Sequence, residues 1–352
     1  MIDLDELLNR PSAWLTVEKE SDIVVSSRIR LARNLRAFHF PGWGGEEACS
    51  QVWATLKPIL TDVKAMPGCL SMEMNDINQL DKMVLFERHL ISRELSEKGK
   101  GSGLVVALDE QMSIMVNEED HLRIQAINPG LELIEAWERI DALDSEIEAC
   151  VDYAYDPRLG YLTACPSNVG TGMRASVMVH VPALVLLEEI NPIIKGLGKI
   201  GLAVRGLGGE GSDASGNMFQ ISNQITLGEE EMQVVGSLHE IVQEIVEHEK
   251  NARKRLMQKK GIMVRDHVGR AHGILSNAHI LSSKEALDMI SGLRLGVDLG
   301  LLPGLTPPVL DELTLLIRPG HLQKIETKRL KVRERDVSRA KLVRSKLADI
   351  AK

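Results

Sequence analysis

The sequence predicts an α+β fold, with a mainly antiparallel sheet flanked by helices and an all-helical domain after it. Short apolar runs follow one another between 103 and 127 with no helix between them, which suits hairpin-linked strands better than a doubly wound sheet. Amphipathic helical patterns stand on either side, around 46–65, 79–98 and 131–150. From about residue 229 helical periodicity takes over. The 352 residues therefore divide into domains 1–228 and 229–352, in line with about two domains for this length.

The first element is DIVVSSRIR (22–30), a strand by its β-branched run. The helices predicted over 46–65 and 79–98 follow it. Strands are predicted at 103–108 (GLVVAL), 112–116 (MSIMV) and 121–127 (HLRIQAI). Over 131–150 one helix face collects Leu133, Ile134, Trp137, Ile140, Leu143 and Ile147. A strand near 174–180, a helix over 183–197 and strands at 200–205 and 217–222 complete the first domain. In the helical domain, breaks are expected at Gly261, at Gly292 and in LLPGLTPP (301–308).

Composition narrows the function classes. The chain is 44% hydrophobic and 26% charged, as in soluble globular proteins. No run of 18 apolar residues is present, so no membrane contact is expected. The acidic, polar start lacks the pattern of a secretory signal, which makes the cytoplasm the expected location. Cys49, Cys69, Cys150 and Cys165 form no CxxC pair and no zinc-like spacing with histidine. Residues 318–352 hold twelve Lys/Arg against four Asp/Glu, so the rest of this chain of net charge −8 carries −16. An acidic body argues against direct nucleic-acid binding, which needs clustered cations. The basic tail suits either an acidic or phosphorylated partner or a solvated helix face.

Four segments could carry chemistry. In SSRIR (26–30), an extended backbone puts Arg28 and Arg30 on one face, where they form either a basic edge or a bidentate grip on an anion. In NEEDHLRI (117–124), an extended chain puts Glu119, His121 and Arg123 on one face with Glu118 opposite. A carboxylate beside an arginine is either a salt bridge or a base for a cationic substrate. CPSNVGTGMRASV (165–177) combines a turn-rich loop with Arg174 on a strand, and its Cys165 is either a thiolate or an inert thiol. RGLGGEGSDASGN (205–217) is a glycine-rich loop carrying Arg205 and Glu210, and it matches neither a Walker A motif nor a dinucleotide fingerprint. Together these segments supply Arg28, Arg30, Arg123, Arg174 and Arg205 to offset a triphosphate, with Glu119 and Glu210 to face a cationic acceptor. A guanidinium, with a pKa above about 12, is a poor nucleophile until a carboxylate orients it and takes its proton.

These blocks, SSRIRLARN (26–34), NEEDHLRI, CPSNVGTGMRASV and RGLGGEG followed by FQISNQITLG (219–228), resemble the phosphagen (guanidino) kinase family over roughly 20–230. The resemblance implies a guanidino-kinase catalytic domain that uses ATP with Mg2+. It implies nucleotide binding by Ser26, Ser27, Arg28, Ile29 and Arg30, by His89 and Arg123, and by Arg174, Ala175, Ser176, Val177 and Met178. The same role falls to Arg205, Gly206, Leu207, Gly208, Gly209 and Glu210. Glu119 and Glu210 match the catalytic glutamates and Cys165 the reactive cysteine beside the substrate. No residue is implied as a direct metal ligand, with Glu118 in the outer shell of the magnesium.

The small-metabolite members carry a helical domain ahead of SSRIR, whereas only 25 residues precede Ser26 here. They also end soon after their last strands, whereas a long helical region follows here. That arrangement is similar to the bacterial protein arginine kinase branch, whose site is open to a protein side chain. RDVSRA (335–340) resembles the branch's phosphoarginine pocket, which implies allosteric roles for Arg335, Asp336, Arg339 and Ala340. Gly209 stands where the small-metabolite kinases have an arginine. The resemblance further implies a homodimer, an activating adaptor with metal-binding cysteines, a heat-shock repressor among the protein substrates, and a Clp-type protease downstream. The competing expectations are a kinase for free arginine or another guanidino metabolite, and a non-catalytic phosphoarginine-binding adaptor.

Overall fold

A computed structural model of the chain describes residues 6, 12–15, 23–206 and 215–350. Its strands are β1 (Val24–Arg33), β2 (Leu70–Glu73), β3 (Gly103–Val106), β4 (Met112–Val116), β5 (Leu122–Pro129), the pair β6 (Tyr155–Asp156) and β7 (Gly160–Tyr161), β8 (Met173–His180), β9 (Leu202–Gly206) and β10 (Met218–Asn223). The large sheet has the order β2-β3-β4-β5-β1-β8-β10-β9. β2 with β3, β3 with β4, β4 with β5 and β5 with β1 all pair antiparallel, as the hairpin-like succession of strands predicts. β2 and the β6–β7 pair are not among the predicted strands. They are four and two residues long, too short for an alternation to register.

The helices of the first part are α1 (Pro41–Thr61), α2 (Gln79–Glu87), α3 (Arg93–Ser96) and α4 (Leu133–Glu148). The single helix expected over 79–98 is two. The backbone turns left-handed at His89 (φ 63°), and Ser92 starts the second helix by accepting from Leu95 N–H at 3.0 Å. The helix expected over 183–197 likewise divides into α5 (Pro182–Leu186) and α6 (Ile190–Lys199), with Glu188 at φ 61° between them. On α4 the buried stripe is Leu133, Ala136, Ile140, Leu143 and Ile147, and it packs on β5. Ile134, expected on that stripe, is 40% exposed.

The second part is α7 (Glu231–Asn277), α8 (Ser283–Asp298), α9 (Pro307–Leu316), α10 (Pro319–Ile325) and α11 (Val332–Ile350). At 260–261 the helix kinks rather than ends, through a non-helical Lys260 (φ −134°). Gly292 does not break the chain either, since it lies inside α8. A Cβ there would come within 3.0 Å of Ala271 Cβ and 3.2 Å of His267 Nε2, so glycine permits a close helix approach. The LLPGLTPP stretch does form the turn before α9.

The chain divides into two compact units that interleave in sequence. The first is made of Ser26–Val177 and Ser222–Glu240 with residues 12–15, and the second of Met178–Ile221 and Ile241–Lys352 with residues 23–25. In the first unit a core of Met74, Val84, Leu85, Leu95, Leu104, Val106 and Met115 packs α2 and α3 on the sheet. In the second, Ala271, Leu275, Ile290, Leu293, Leu310, Leu313, Ala340 and Val343 join α7 to α11. Among the described residues no helix is long and apolar enough to cross a membrane.

Candidate active site

Strand pairing fixes where the arginines of the first unit point. In the β1–β5 register Arg28 faces Ile127, Arg30 faces Gln125 and Ala32 faces Arg123. Opposed residues share a face of an antiparallel pair, as do alternate residues of a strand, so Arg28, Arg30 and Arg123 lie on one face. Arg174 comes from the neighbouring β8, which is tied to β1 by Ala32 N–H donating to Gly172 O at 2.9 Å and Ser176 Oγ–H donating to Arg28 O at 3.4 Å.

The cations are held where they repel each other. Burial, then the charges of Arg123 and Arg174, push the Arg28 guanidinium down to about 10. Arg30 is pushed well below its ordinary value by burial first, then by Arg28, Arg123 and Arg174, with Glu118 opposing. Arg30 Nε is buried with no hydrogen-bond partner among the described residues. Arg33, on the opposite face of the same strand, shows what a structural arginine looks like. It bonds Asp144 through Nε at 2.9 Å and Nη2 at 2.7 Å, donates to Thr171 O, and lies 3.5 Å over the Tyr161 ring. Arg28 and Arg30, by contrast, have other arginines among their charged neighbours, an arrangement that suits an anion of several charges.

The turn between β4 and β5 carries the acidic groups. Asn117 enters it at φ 56° and anchors it by donating to Gly101 O at 2.6 Å and Cys49 O at 2.8 Å. Glu118 is buried, paired with Arg123 at 2.6 Å and bonded by the Ser92 hydroxyl. Glu119 meets Arg123 at 3.3 Å, but its side chain is 44% exposed. Burial raises its pKa, Arg123 opposes that, and Asp120, Glu118 and Glu94 raise it further. One carboxylate is therefore spent on orienting an arginine, and its neighbour stays open to solvent with enhanced basicity.

Asp120 joins this turn to the Cys165 loop. Its Oδ1 accepts from Ala164 N–H at 2.7 Å and from Asn34 Nδ2 at 2.6 Å, while Asn34 Oδ1 accepts from His121 N–H at 2.9 Å. Cys165 precedes a short helical turn, Pro166–Asn168, and its Sγ lies 3.0 Å from Ser167 Oγ. Thr226 Oγ1 holds that turn through Ser167 O and Val169 O, at 3.0 and 2.8 Å. Gly172 sits at φ 64°, where a Cβ would lie 2.6 Å from Ala32 O, so β8 can start beside β1 only with glycine there. Asn223 fixes the start of β8, accepting from Ala175 N–H at 2.9 Å and donating to Met173 O at 3.1 Å. Ser92, Asn34, Asp120 and Asn223 are absent from the sequence-derived site. Each is a lone polar residue whose role exists only across chain separations that no local pattern reports.

The remaining sequence-derived residues distribute as follows. Ser26 is buried at the start of the Arg28 face, and Ile29 is buried on the opposite face. Ser27 donates to Gly130 O at 2.7 Å and accepts from Glu132 N–H at 3.0 Å. His89 is half-buried at the end of α2, and Gln125, the residue facing Arg30, donates to its carbonyl at 2.7 Å. Along β8, Ala175, Ser176 and Val177 are buried and Met178 half-buried. Arg205 and Gly206 end β9 in the second unit, both half-buried. Leu207, Gly208, Gly209 and Glu210 lie outside the described residues. On α11, Arg339 is buried and donates to Ile317 O at 2.9 Å, Leu281 O at 2.7 Å and Asp336 Oδ1 at 2.6 Å. Arg335 is half-buried and donates to Leu330 O at 3.0 Å, Asp336 is half-buried, and Ala340 belongs to the helical core.

Among the described residues no group of three or more His, Cys, Asp or Glu side chains is placed to hold a metal ion. Glu118 is already engaged by Arg123 and Ser92.

Residues 56–252 match the family profile described as ATP:guanido phosphotransferase, C-terminal catalytic domain. Residues 261–352 match the one described as Protein-arginine kinase McsB C-terminal domain. The chain is 48% identical over 340 residues to a protein-arginine kinase of Geobacillus kaustophilus, covering 96% of this chain and 93% of that protein. It is 45% identical over 351 residues to one of Halothermothrix orenii, covering 98% and 99%. Among solved structures it resembles lombricine kinase, with a TM-score of 0.58 at 24% identity over 70% of each chain. It also resembles the duplicated taurocyamine kinase of Schistosoma mansoni, with a TM-score of 0.60 at 23% identity over 75% of this chain and 40% of that one. These structural likenesses show the fold.

Proposed function

The chain belongs to the ATP:guanido phosphotransferase family, and from that premise we propose that it transfers the terminal phosphate of ATP to the guanidinium of arginine residues in proteins. The observation that carries the proposal is the face shared by Arg28, Arg30 and Arg123, within reach of the Arg174 charge, where burial and mutual repulsion depress Arg28 and Arg30 and leave Arg30 Nε unbonded. Such a cluster fits an anion of several charges, and a triphosphate has the multiple oxygens that guanidinium forks bind.

Fixed by strand pairing, the arginines hold the phosphates in line and stabilise the charge that spreads over the transferred group. Arg123 is aimed by Glu118, and Ser92 holds Glu118 in turn. Glu119 orients the incoming guanidinium and takes its proton, a task suited to an exposed carboxylate of raised pKa. Cys165 lies on a turn tied through Asp120 to the Glu119 turn, which suits contact with the acceptor. The resemblance adds Arg205 to the phosphate contacts and Glu210 as a second carboxylate on the acceptor. A bound magnesium, with Glu118 in its outer shell, would supply neutralisation of phosphate charge.

A protein acceptor is supported by the relatives named protein-arginine kinase, matched along nearly their whole length, and by the C-terminal family match. In α11, Arg339 holds Asp336, leaving Arg335 beside it to meet a phosphoarginine. A cytoplasmic homodimer with an adaptor, a heat-shock repressor as substrate and a Clp-type protease downstream rest on the resemblance alone. The test is to incubate the chain with ATP, magnesium and an unfolded arginine-rich protein, with free arginine in a parallel reaction. Mass spectrometry under conditions that spare P–N bonds should find phosphoarginine in the protein and little product from free arginine. Phosphate on free arginine alone would overturn the protein-substrate reading.

A further inference from the structure

Residues 12–15 form a short buried turn in the first unit that packs against β5. It grips both sides of the point where α2 ends. Ser12 and Ala13 lie against Glu110, and the same carboxylate bonds Arg88 through Nε at 2.8 Å and Nη2 at 2.7 Å. Trp14 stands against the next residue, with its ring centroid 4.9 Å from that of His89 at an interplanar angle of 58°. His89 holds a left-handed backbone (φ 63°) that residues other than glycine rarely adopt. Its carbonyl is fixed by Gln125 Nε2 at 2.7 Å, and Gln125 faces Arg30 across the β1–β5 ladder. The His89 carbonyl therefore lies on the sheet face that carries Arg30, and Trp14 packs against the His89 ring. Trp14 is only 4% exposed, and its indole N–H is buried without a hydrogen-bond partner among the described residues.

We propose that residues 12–15 form a wall of the nucleotide site and that Trp14 is a positioning residue that sets the His89 ring against the bound nucleotide. This rests on the ATP reading above. A tilted aromatic pair orients both rings, and fixing the imidazole before the nucleotide arrives removes an ordering cost from binding.

The test is calorimetric titration of ADP with magnesium into the full chain and its Trp14→Ala, Trp14→Phe, His89→Ala and doubly substituted Trp14→Ala/His89→Ala variants. ATP and acceptor KM values are measured alongside. Trp14→Ala should weaken ADP about two- to twelvefold, the range an aromatic pair converts to, and raise the KM for ATP while sparing kcat and the acceptor KM. Trp14→Phe, which keeps an aromatic ring against His89, should bind ADP more tightly than Trp14→Ala. The double variant should bind no more weakly than His89→Ala, because Trp14 acts through His89. Should Trp14→Ala fail to fold, Trp14→Leu takes its place and is read the same way. Unchanged ADP affinity in Trp14→Ala, or losses that simply add in the double variant, would overturn the proposal while leaving the kinase reading intact. A native chain that binds no ADP would overturn both.

Discussion

Replacing Arg28 by methionine should make the nucleotide-free protein more stable and a poorer nucleotide binder. The Arg28 pKa is lowered by roughly two to three units to about 10, by burial first and then by Arg123 and Arg174. At 1.36 kcal/mol per unit this is a gross penalty of about 3 kcal/mol for keeping the charge in place. The side chain is only partly buried, so solvent screening reduces the expected gain to about 1–2 kcal/mol. At neutral pH Arg28 is protonated in both folded and unfolded states, so the penalty is constant there. Stability recovers only as pH rises above about 10, where the folded state gives up its proton before the unfolded one does. Urea unfolding at low salt without nucleotide should show a raised midpoint for Arg28→Met, and added salt should narrow the difference. ADP titration should show a loss of about tenfold or more, since hydrogen bonds to charged groups contribute about 1.5–3 kcal/mol each. A variant that is less stable, or that binds ADP as tightly as the native chain, would refute the reasoning that repulsion is held in reserve for an anion.

Glu119→Gln should lower phosphoryl transfer by about 10²–10⁴ while ADP affinity stays unchanged, as coupled kinetics and titration would show. Because burial raises the Glu119 carboxyl, transfer should fall on acidification at a pH above the ordinary carboxylate range. The residual activity of Glu119→Gln should lack that acidic limb. Asp120→Ala removes the acceptor for Ala164 N–H and Asn34 Nδ2, and should raise the KM for the protein acceptor while leaving ADP binding alone. Arg339→Ala strips three internal hydrogen bonds from a buried site and leaves two carbonyls and a carboxylate short of a donor. It should lower the thermal stability of the helical unit by about 3 kcal/mol or more, read by circular dichroism.

Much of this was legible because local pattern and tertiary role agree. The alternation of SSRIR puts Arg28 and Arg30 on one face, and the β1–β5 ladder adds Arg123 to it. Short apolar runs in succession marked the hairpin strands, and turn chemistry marked the loop before α9. The misreadings have physical causes. Gly292 read as a break because glycine disfavours helix, yet tight packing on Ala271 and His267 calls for a missing side chain there. His89 interrupts a stretch that periodicity reads as one helix, because Gln125 and the Arg88–Glu110 pair hold the turn from distant positions. Arg33 looks no different in sequence from Arg28, and only the Asp144 carboxylate reveals that its charge is spent inside the fold. Asp120, buried between the Glu119 turn and the Cys165 loop, reads in sequence as one more acid in NEED.

The account stands or falls on the atom that receives the phosphate. Phosphorus NMR of the chain with ATP, magnesium and an unfolded protein substrate reads that bond directly. A new resonance that arises as ATP is consumed, and that disappears to inorganic phosphate on mild acid treatment, is the expected signature of an arginine P–N bond. An acid-stable ester on a hydroxyl side chain in its place would contradict the assignment of a guanidinium acceptor.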